Sequence, residues 1–418
     1  MRTPSPCLAL VVLLAAVRAL VPEAAGAQVP LGGERHVNLH TAGFQLTADV
    51  AVAGNGDFVV VWLDVAQWDP KPRIRARRFA ADGRAKGKDI EVDHLRRRSS
   101  SAPSVASDAS GRFTVVWSEA RGGRGAVLFA RRYDAHGRPL GERFPVQESR
   151  HAQFDPDVAM TADGRAVFVW LEDHFDPQGH EIVDVHFRRM AANGALTGPA
   201  VLSHVGDHPR VALRADGTFA IASQVASEET LYDVDLSLYS AAGAPSREIV
   251  QVNAGPTVNG VQVEPDLAIA PDGRIFVAWT DRSADEGEPD ATPDDAPGIA
   301  GQLLEADGTP IGDNVRINQF KLGIQETPSI AAIPSGGFLV AWSSGASQDG
   351  DGFGIFERPL AADGQPLGTE TRVNLAATGD QQAPAVALAP NGRGALAWIG
   401  RDEDETGILA RRLAPPTL

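Results

Sequence analysis

One pattern recurs along the whole chain and leaves little freedom in what it can fold into. A tight-turn dipeptide, then a mostly apolar run, then Trp appears at Asn55-Gly56 to Trp62, Ser110-Gly111 to Trp117 and Asp163-Gly164 to Trp170. It returns at Asp272-Gly273 to Trp279, Ser335-Gly336 to Trp342 and Asn391-Gly392 to Trp398. A further copy, Asp216-Gly217 to Ser223, keeps the turn and lacks the Trp. Successive copies lie 53 to 63 residues apart, so no stretch is long enough for a separate domain. Self-similarity at such a period signals a repeat architecture.

Each unit reads as four strands, A to D. Strand A is short and follows a proline in most copies, as in Pro156-Asp157-Val158-Ala159. Strand B, as in Phe58-Val59-Val60-Val61-Trp62, is apolar on both faces, the mark of a strand covered on both sides. Strand C carries Arg pairs, Arg77-Arg78, Arg131-Arg132, Arg188-Arg189 and Arg411-Arg412, whose aliphatic stems would cover neighbouring strands. Strand D follows Pro139-Leu140-Gly141, Pro310-Ile311-Gly312 or Pro366-Leu367-Gly368. Asn-Gly and Asp-Gly dipeptides predict two-residue hairpins between A and B and again between C and D. Four-stranded antiparallel units repeated radially make a β-propeller.

The ends predict closure. Only five residues follow Leu413, too few for a last strand D. Yet Pro30-Leu31-Gly32 to Val37-Asn38 aligns without a gap to Pro139-Leu140-Gly141 to Val146-Gln147, and to Pro366-Leu367-Gly368 to Val373-Asn374. The expected fold class is therefore all-β: a seven-bladed β-propeller of four-stranded blades, closed by an N-terminal strand (28–38) completing the last blade. Pairing the two ends would leave no open sheet edge.

Residues 1–27 read as a secretory signal peptide: Arg2 at the start, an apolar run from Leu8 to Val17, and Ala25-Gly26-Ala27 before Gln28. The run is too short for a membrane-spanning helix. Cys7, the only cysteine, lies within it, so residues 28–418, read as one propeller domain, have no disulfide or cysteine ligand. Loss of Arg2, Arg18 and Glu23 takes the formal charge from −16 to −17. That acidity argues against nucleic acid and anionic lipid as partners. The expectation is a secreted or periplasmic monomer without membrane insertion, meeting an extracellular glycan or protein.

Alternating strand directions put the A–B and C–D turns on one face and the longer, variable B–C and D–A connections on the other. Function is expected on the second face. Asp64, Glu119, Glu172 and Asp281 each stand two places after the strand B Trp at the start of that face. They would hold a cation such as calcium, serve as acid/base groups, or simply bond local backbone. His151, His174, His180, His204 and His208 crowd the loops of the third and fourth units, with Asp155, Glu172, Asp173 and Asp207 nearby. Imidazole with carboxylate suits zinc, although no fixed ligand spacing is present. No cofactor is otherwise called for. Arg97, within Arg96-Arg97-Arg98, and Arg121 with Arg124 would receive an acidic group of a glycan. The acidic stretch from Asp281 to Pro297 lacks calcium-loop alternation, and Asp349-Gly350-Asp351-Gly352 alone is too short for one. Gln153, Gln262, Gln325 and Gln381 precede the strand A proline by three places, and Asn38, Asn253, Asn318 and Asn374 close strand D. These amides would satisfy backbone groups in the D–A connections.

The unit with Asp349-Gly350-Asp351-Gly352-Phe353-Gly354-Ile355, then Ala361-Ala362-Asp363-Gly364-Gln365-Pro366-Leu367-Gly368 and Arg372-Val373-Asn374, resembles a repeat of bacterial secreted proteins, D-G-x-G-x-G-I-x-A-x-R-F-D-A-x-G-x-P-x-G followed by V-N. The resemblance is best in the sixth unit and poorest in the fourth. It implies an extracellular propeller-like array and brings no activity or catalytic residues. Sialidase-type propellers are not matched in their Asp-box order or arginine cluster. The reading is a non-catalytic exported binding module using the B–C/D–A face. The alternative is a hydrolase or lyase acting on carbohydrate or ester through the acidic residues or the histidines.

Overall fold

The computed structural model describes residues 28–65, 71–95, 102–121, 125–175, 177–227, 231–253, 260–282, 298–345, 347–402 and 405–415. Residues 1–27, Arg97, Arg124 and most of the acidic stretch after Asp281 lie outside them. Every regular element among the described residues is a β-strand, arranged as five four-stranded sheets and one of eight strands. The eight-stranded sheet has two halves joined at a single parallel pairing, Phe44 with Thr406. One half runs through Phe44–Val52, Phe58–Val65, Arg73–Phe79 and Ile90–His94. The other consists of Gln382–Leu388, Gly394–Arg401 and Thr406–Ala414, with Val29–His36 antiparallel to the last of these.

Strand B forms because it is apolar throughout and both its faces are covered. Phe58–Val65, Phe113–Ala120 and Phe338–Ser344 are buried along nearly their whole length. The six strand B tryptophans all lie among the largest fully buried side chains. The core clusters take residues from two successive sheets, or from the two halves of the eight-stranded one, so the tryptophans lie in seams. Burial of one such apolar side chain stabilises by roughly 1.5–3 kcal/mol.

The hairpins differ from expectation. They have three residues, not two, and only the glycine is left-handed: Gly56 has φ 87° and its N–H meets Ala53 O at 2.8 Å, while Ala53 N–H meets Asp57 O. The residue before the glycine keeps negative φ and uses its side chain instead. Asn55 Oδ1 accepts Asp57 N–H at 2.9 Å, and Asp82 Oδ1 accepts Arg84 N–H at 2.8 Å. This is a type I turn with a glycine bulge. The A–B and C–D turns share one end, as Ala81 N–H donating to Asp57 Oδ1 at 3.0 Å shows.

The arginine pairs of strand C do more than cover apolar surface. The first of a pair donates to a carbonyl in or just after strand D of the preceding unit: Arg131 to Val92 O, Arg188 to Val146 O and Arg411 to Val373 O; the single Arg358, before Pro359, does the same to Ile317 O. The second reaches the C–D turn of the following one: Arg78 to Ala135 O, Arg132 to Asn193 O and Arg189 to Ala241 O. The same rule holds across the chain ends. Arg77 donates to Val37 O at 2.6 Å and Arg412 to Ala81 O at 3.4 Å. Val37 and Asn38 thus take the strand D role beside Thr406–Ala414.

The recurring amides have the structural role expected. Asn38 Oδ1 accepts Ile408 N–H, Asn318 Oδ1 accepts Ile299 N–H and Asn374 Oδ1 accepts Ile355 N–H, at 2.8 to 2.9 Å. Each Nδ2 donates onward to the following strand A glutamine: Gln45, Gln325 or Gln381.

Candidate functional site: the axial cavity

The A strands are Phe44–Val52, Ser104–Ser107, Ala152–Met160, Asp207–Leu213, Gln262–Ile269, Gln325–Ala332 and Gln382–Leu388. Each touches the next, and the last touches the first. Most begin before the proline rather than after it, because a bulge lets the proline into the strand. The register shifts between Leu46 and Asp49, Phe154 and Asp157, Asp207 and Arg210, and at the same place in three more strands. Proline lacks an N–H, so it costs no ladder bond at a bulge. The residue before it is left-handed without being glycine: Asp155 (φ 43°), His208 (48°), Glu264 (55°), Thr327 (52°) and Ala383 (51°), and so is Thr47 (47°), where Ala48 takes the proline's place. Such conformations cost of order 1–3 kcal/mol each and tend to gather at functional sites.

All these strands line one cavity of about 400 Å³. The residue after the proline position forms an inner ring: Asp49, Ser104, Asp157, Arg210, Asp266 and Ser329. Asp49 accepts Val105 N–H at 2.7 Å, Asp157 accepts Val211 N–H at 2.9 Å, Asp266 accepts Ile330 N–H at 2.9 Å, and Ser329 Oγ accepts Val386 N–H at 3.1 Å. Each bond clamps one A strand to the next. Ser104 donates to Asp157 at 2.8 Å. Burial, reinforced by Asp157, raises the Asp49 carboxyl to about 6, and burial raises that of Asp266 to about 7. Burial opposes the charge on Arg210, but Asp155, Asp157 and Asp266 outweigh it and hold the guanidinium protonated.

Above the ring, the left-handed residues form the cavity mouth. Asp155 Oδ1 lies 3.4 Å from Arg210 Nη1. His208 Nδ1 lies 3.4 Å from Asp207 Oδ1. Donor atoms of Asp155, Asp207 and His208 all lie within 4.8 Å of one another, close enough to share one ion. Glu264 accepts from Thr280 Oγ1 at 3.0 Å and from Thr327 N–H at 3.1 Å.

The residues singled out from sequence fare differently. Asp64 and Glu119 are almost fully buried and meet partners within their own region. Asp64 takes Arg75 and Gln45, and Glu119 takes Arg143 at 2.8 Å. Glu172 accepts from Ser149 at 2.6 Å and Gln153 at 3.2 Å. Asp281 pairs in register with Gln262 and lines a separate small pocket. These four carboxylates do not converge on the cavity, and none of them lines it. Arg121 lies over the Phe129 ring at 4.9 Å, and Arg143 covers the same ring at 4.3 Å.

Nor do the five histidines form one site. His151 and His174 meet edge to face, 5.7 Å between centroids, and His174 Nδ1 is 3.3 Å from Asp184 Oδ2. His186, unmarked in the sequence reading, is 3.9 Å from the same oxygen and stacks on Trp170. His180 is exposed in the turn beyond. His204 is structural: its Nε2 bonds Ser223 Oγ and its Nδ1 bonds Ser203 Oγ at 2.7 Å. Ser223 is the residue standing where the other units carry Trp, so the imidazole occupies that seam. Burial lowers His204 to about 4. Only His208 reaches the axis.

Neither a protein-family model nor a curated protein matches the chain. Solved structures do, at low identity. An alpha-L-arabinanase of Penicillium chrysogenum, solved with arabinobiose, gives a TM-score of 0.52 at 10% identity, covering 74% of this chain and 92% of its own. The hydrazine synthase of Kuenenia stuttgartiensis gives 0.52 at 10% identity over 88% and 97%. The polysaccharide lyase Uly1 gives 0.50 at 10% identity over 88% and 89%. These likenesses are of fold alone, and one architecture hosts many unrelated functions.

Proposed function

We propose that the chain is a closed seven-bladed β-propeller, exported by its N-terminal leader, that serves as a binding module for a neutral or cationic glycan segment at the mouth of the axial cavity. Reading the eight-stranded sheet as two blades joined by one pairing gives seven blades. The cyclic contacts of the A strands and the arginine bonds across the chain ends support closure.

One observation carries the binding reading. Polar side chains of five of the A strands, Thr47, Asp155, His208, Glu264 and Thr327, are presented around a single cavity by left-handed residues at one register. Carboxylates and hydroxyls suit sugar hydroxyl groups, and the cavity is of ligand size. Its acid residues outnumber Arg210 and His208, which disfavours an acidic glycan. Glu119 and Glu172, read from sequence as acid or base groups, bond within their own sheets, which favours binding over hydrolysis or elimination.

Calorimetric titration with neutral, cationic and acidic oligosaccharides tests this. The expected result is binding of the first two classes, weakened at least tenfold by Glu264→Gln in a variant that melts like the parent. Preference for acidic glycans, or binding unaffected by that substitution, would overturn the assignment to the cavity mouth. Release of shortened or unsaturated products would instead establish the hydrolase or lyase alternative.

A further inference from the structure

We propose that Asp155, Asp207 and His208 form a zinc-class metal site at the cavity mouth, with a coordination position left open toward the cavity. The proposal rests on reading that mouth as the binding site and names a metal as part of how the ligand is held.

The donor set is the first argument. One imidazole and two carboxylates make three protein ligands, the number found where zinc keeps a position for water or a bound molecule. Imidazole with carboxylate favours zinc over calcium, whose sites are built from oxygen alone.

The second argument is geometric. The donors come from two adjacent A strands and already lie within 4.8 Å of one another. Asp155 and His208 hold the same left-handed register position, φ 43° and 48°. The bulge thus brings side chains of neighbouring sheets to one point, which an unbroken strand would not do.

The third argument concerns unpaired atoms. Asp155 Oδ2 is shut off from solvent with no hydrogen-bond partner, and His208 Nδ1, equally shut off, meets Asp207 Oδ1 only at 3.4 Å. Leaving such an atom unpaired costs about 1–3 kcal/mol. An ion placed among the three residues would satisfy both. Charge also permits it: Asp155, Asp157 and Glu264 line the cavity with Arg210, and Asp207 lies beside His208 at its edge.

His151, His174, His186 and Asp184 provide an internal control. There both imidazoles nearest Asp184 approach the same carboxylate oxygen, and the donors do not close around a common point.

The test uses the purified chain, stripped with a chelator and dialysed. Zinc is titrated by calorimetry, bound metal is counted by mass spectrometry, and cobalt is substituted as a spectroscopic probe. One zinc per chain is expected, with a raised melting temperature and a cobalt spectrum of low coordination number. His208→Asn and Asp155→Asn should each weaken zinc at least about tenfold, whereas His174→Asn should not. Melting curves in the absence of metal verify that the variants fold. Substoichiometric zinc, multiple weak sites indifferent to the first two variants, or loss of zinc only with His174→Asn would each overturn the site. Glycan titrations with and without chelator separate the two readings: zinc binding without any glycan binding sinks only the module, and glycan binding to a chain that takes no zinc sinks only the metal.

Discussion

Removal of residues 28–38 tests the clasp between the chain ends most directly. Val37 is fully buried in the cluster that also holds Trp62, Phe58 and Ile408. Its loss costs roughly 1.5–3 kcal/mol of burial. Asn38 accepts Ile408 N–H, which is left unpaired in the interior at about 1–3 kcal/mol. Val37 O accepts from the Arg77 guanidinium, a charged bond worth about 1.5–3 kcal/mol. The total, about 4–9 kcal/mol, matches the roughly 5–15 kcal/mol that holds a typical domain together. Urea unfolding followed by tryptophan fluorescence should therefore show the truncated chain unfolding at much lower denaturant, with Trp62 and Trp398 affected first. A synthetic peptide of residues 28–38 added in trans should restore much of the loss. Removing only residues 1–27 should change nothing. An unchanged midpoint after the longer deletion would refute the reasoning, since no other group could then be completing the strand set ending at Ala414.

Three further outcomes follow from buried charges. Burial raises Glu357 from its ordinary 4.5 to about 8, so the folded chain holds an extra proton between those values and stability should fall as pH rises through that window; Glu357→Leu should remove the fall, read as urea midpoints from pH 5 to 9. His204 behaves oppositely: with its ordinary 6.5 lowered to about 4, stability should drop as pH falls from 6.5 toward 4, by up to about 3 kcal/mol, and His204→Gln should flatten the slope. Arg210→Met should destabilise by about 3–5 kcal/mol, because Asp155, Asp157 and Asp266 lose their counter-charge; partial rescue by an added Asp266→Asn, measured by thermal melting, would tie the loss to charge rather than to packing.

Much of the scaffold was legible because repetition averages out local ambiguity. The apolar run ending in Trp marks strand B in six of the seven copies, and the match between Pro30-Leu31-Gly32 and Pro366-Leu367-Gly368 marks the strand that Val29–His36 supplies. The Gln and Asn series was also readable, since amides spaced alike in many copies must meet alike surroundings. The site was less legible. Asp157 and Asp266 were visible after Pro156 and Pro265, but as parts of strand A. Nothing local says that Pro156 sits on a bulge, or that the left-handed residue before it turns toward the axis. That follows only from register against strand B. Asp64, Glu119 and Glu172 drew notice by their shared offset from Trp, yet arginine and amide partners distant in sequence absorb them. The partner of His204, Ser223, is conspicuous in the sequence only as a missing Trp.

The pairing of the two ends has a mechanical consequence. Val29 lies opposite Ala414 and His36 opposite Leu409, so the free ends of both strands emerge side by side. Tension applied between the termini would act across this ladder and peel it one bond at a time, rather than load all its bonds in shear. Attachment at both ends would make the molecule open readily under force, whereas attachment at one end would leave the clasp unstressed.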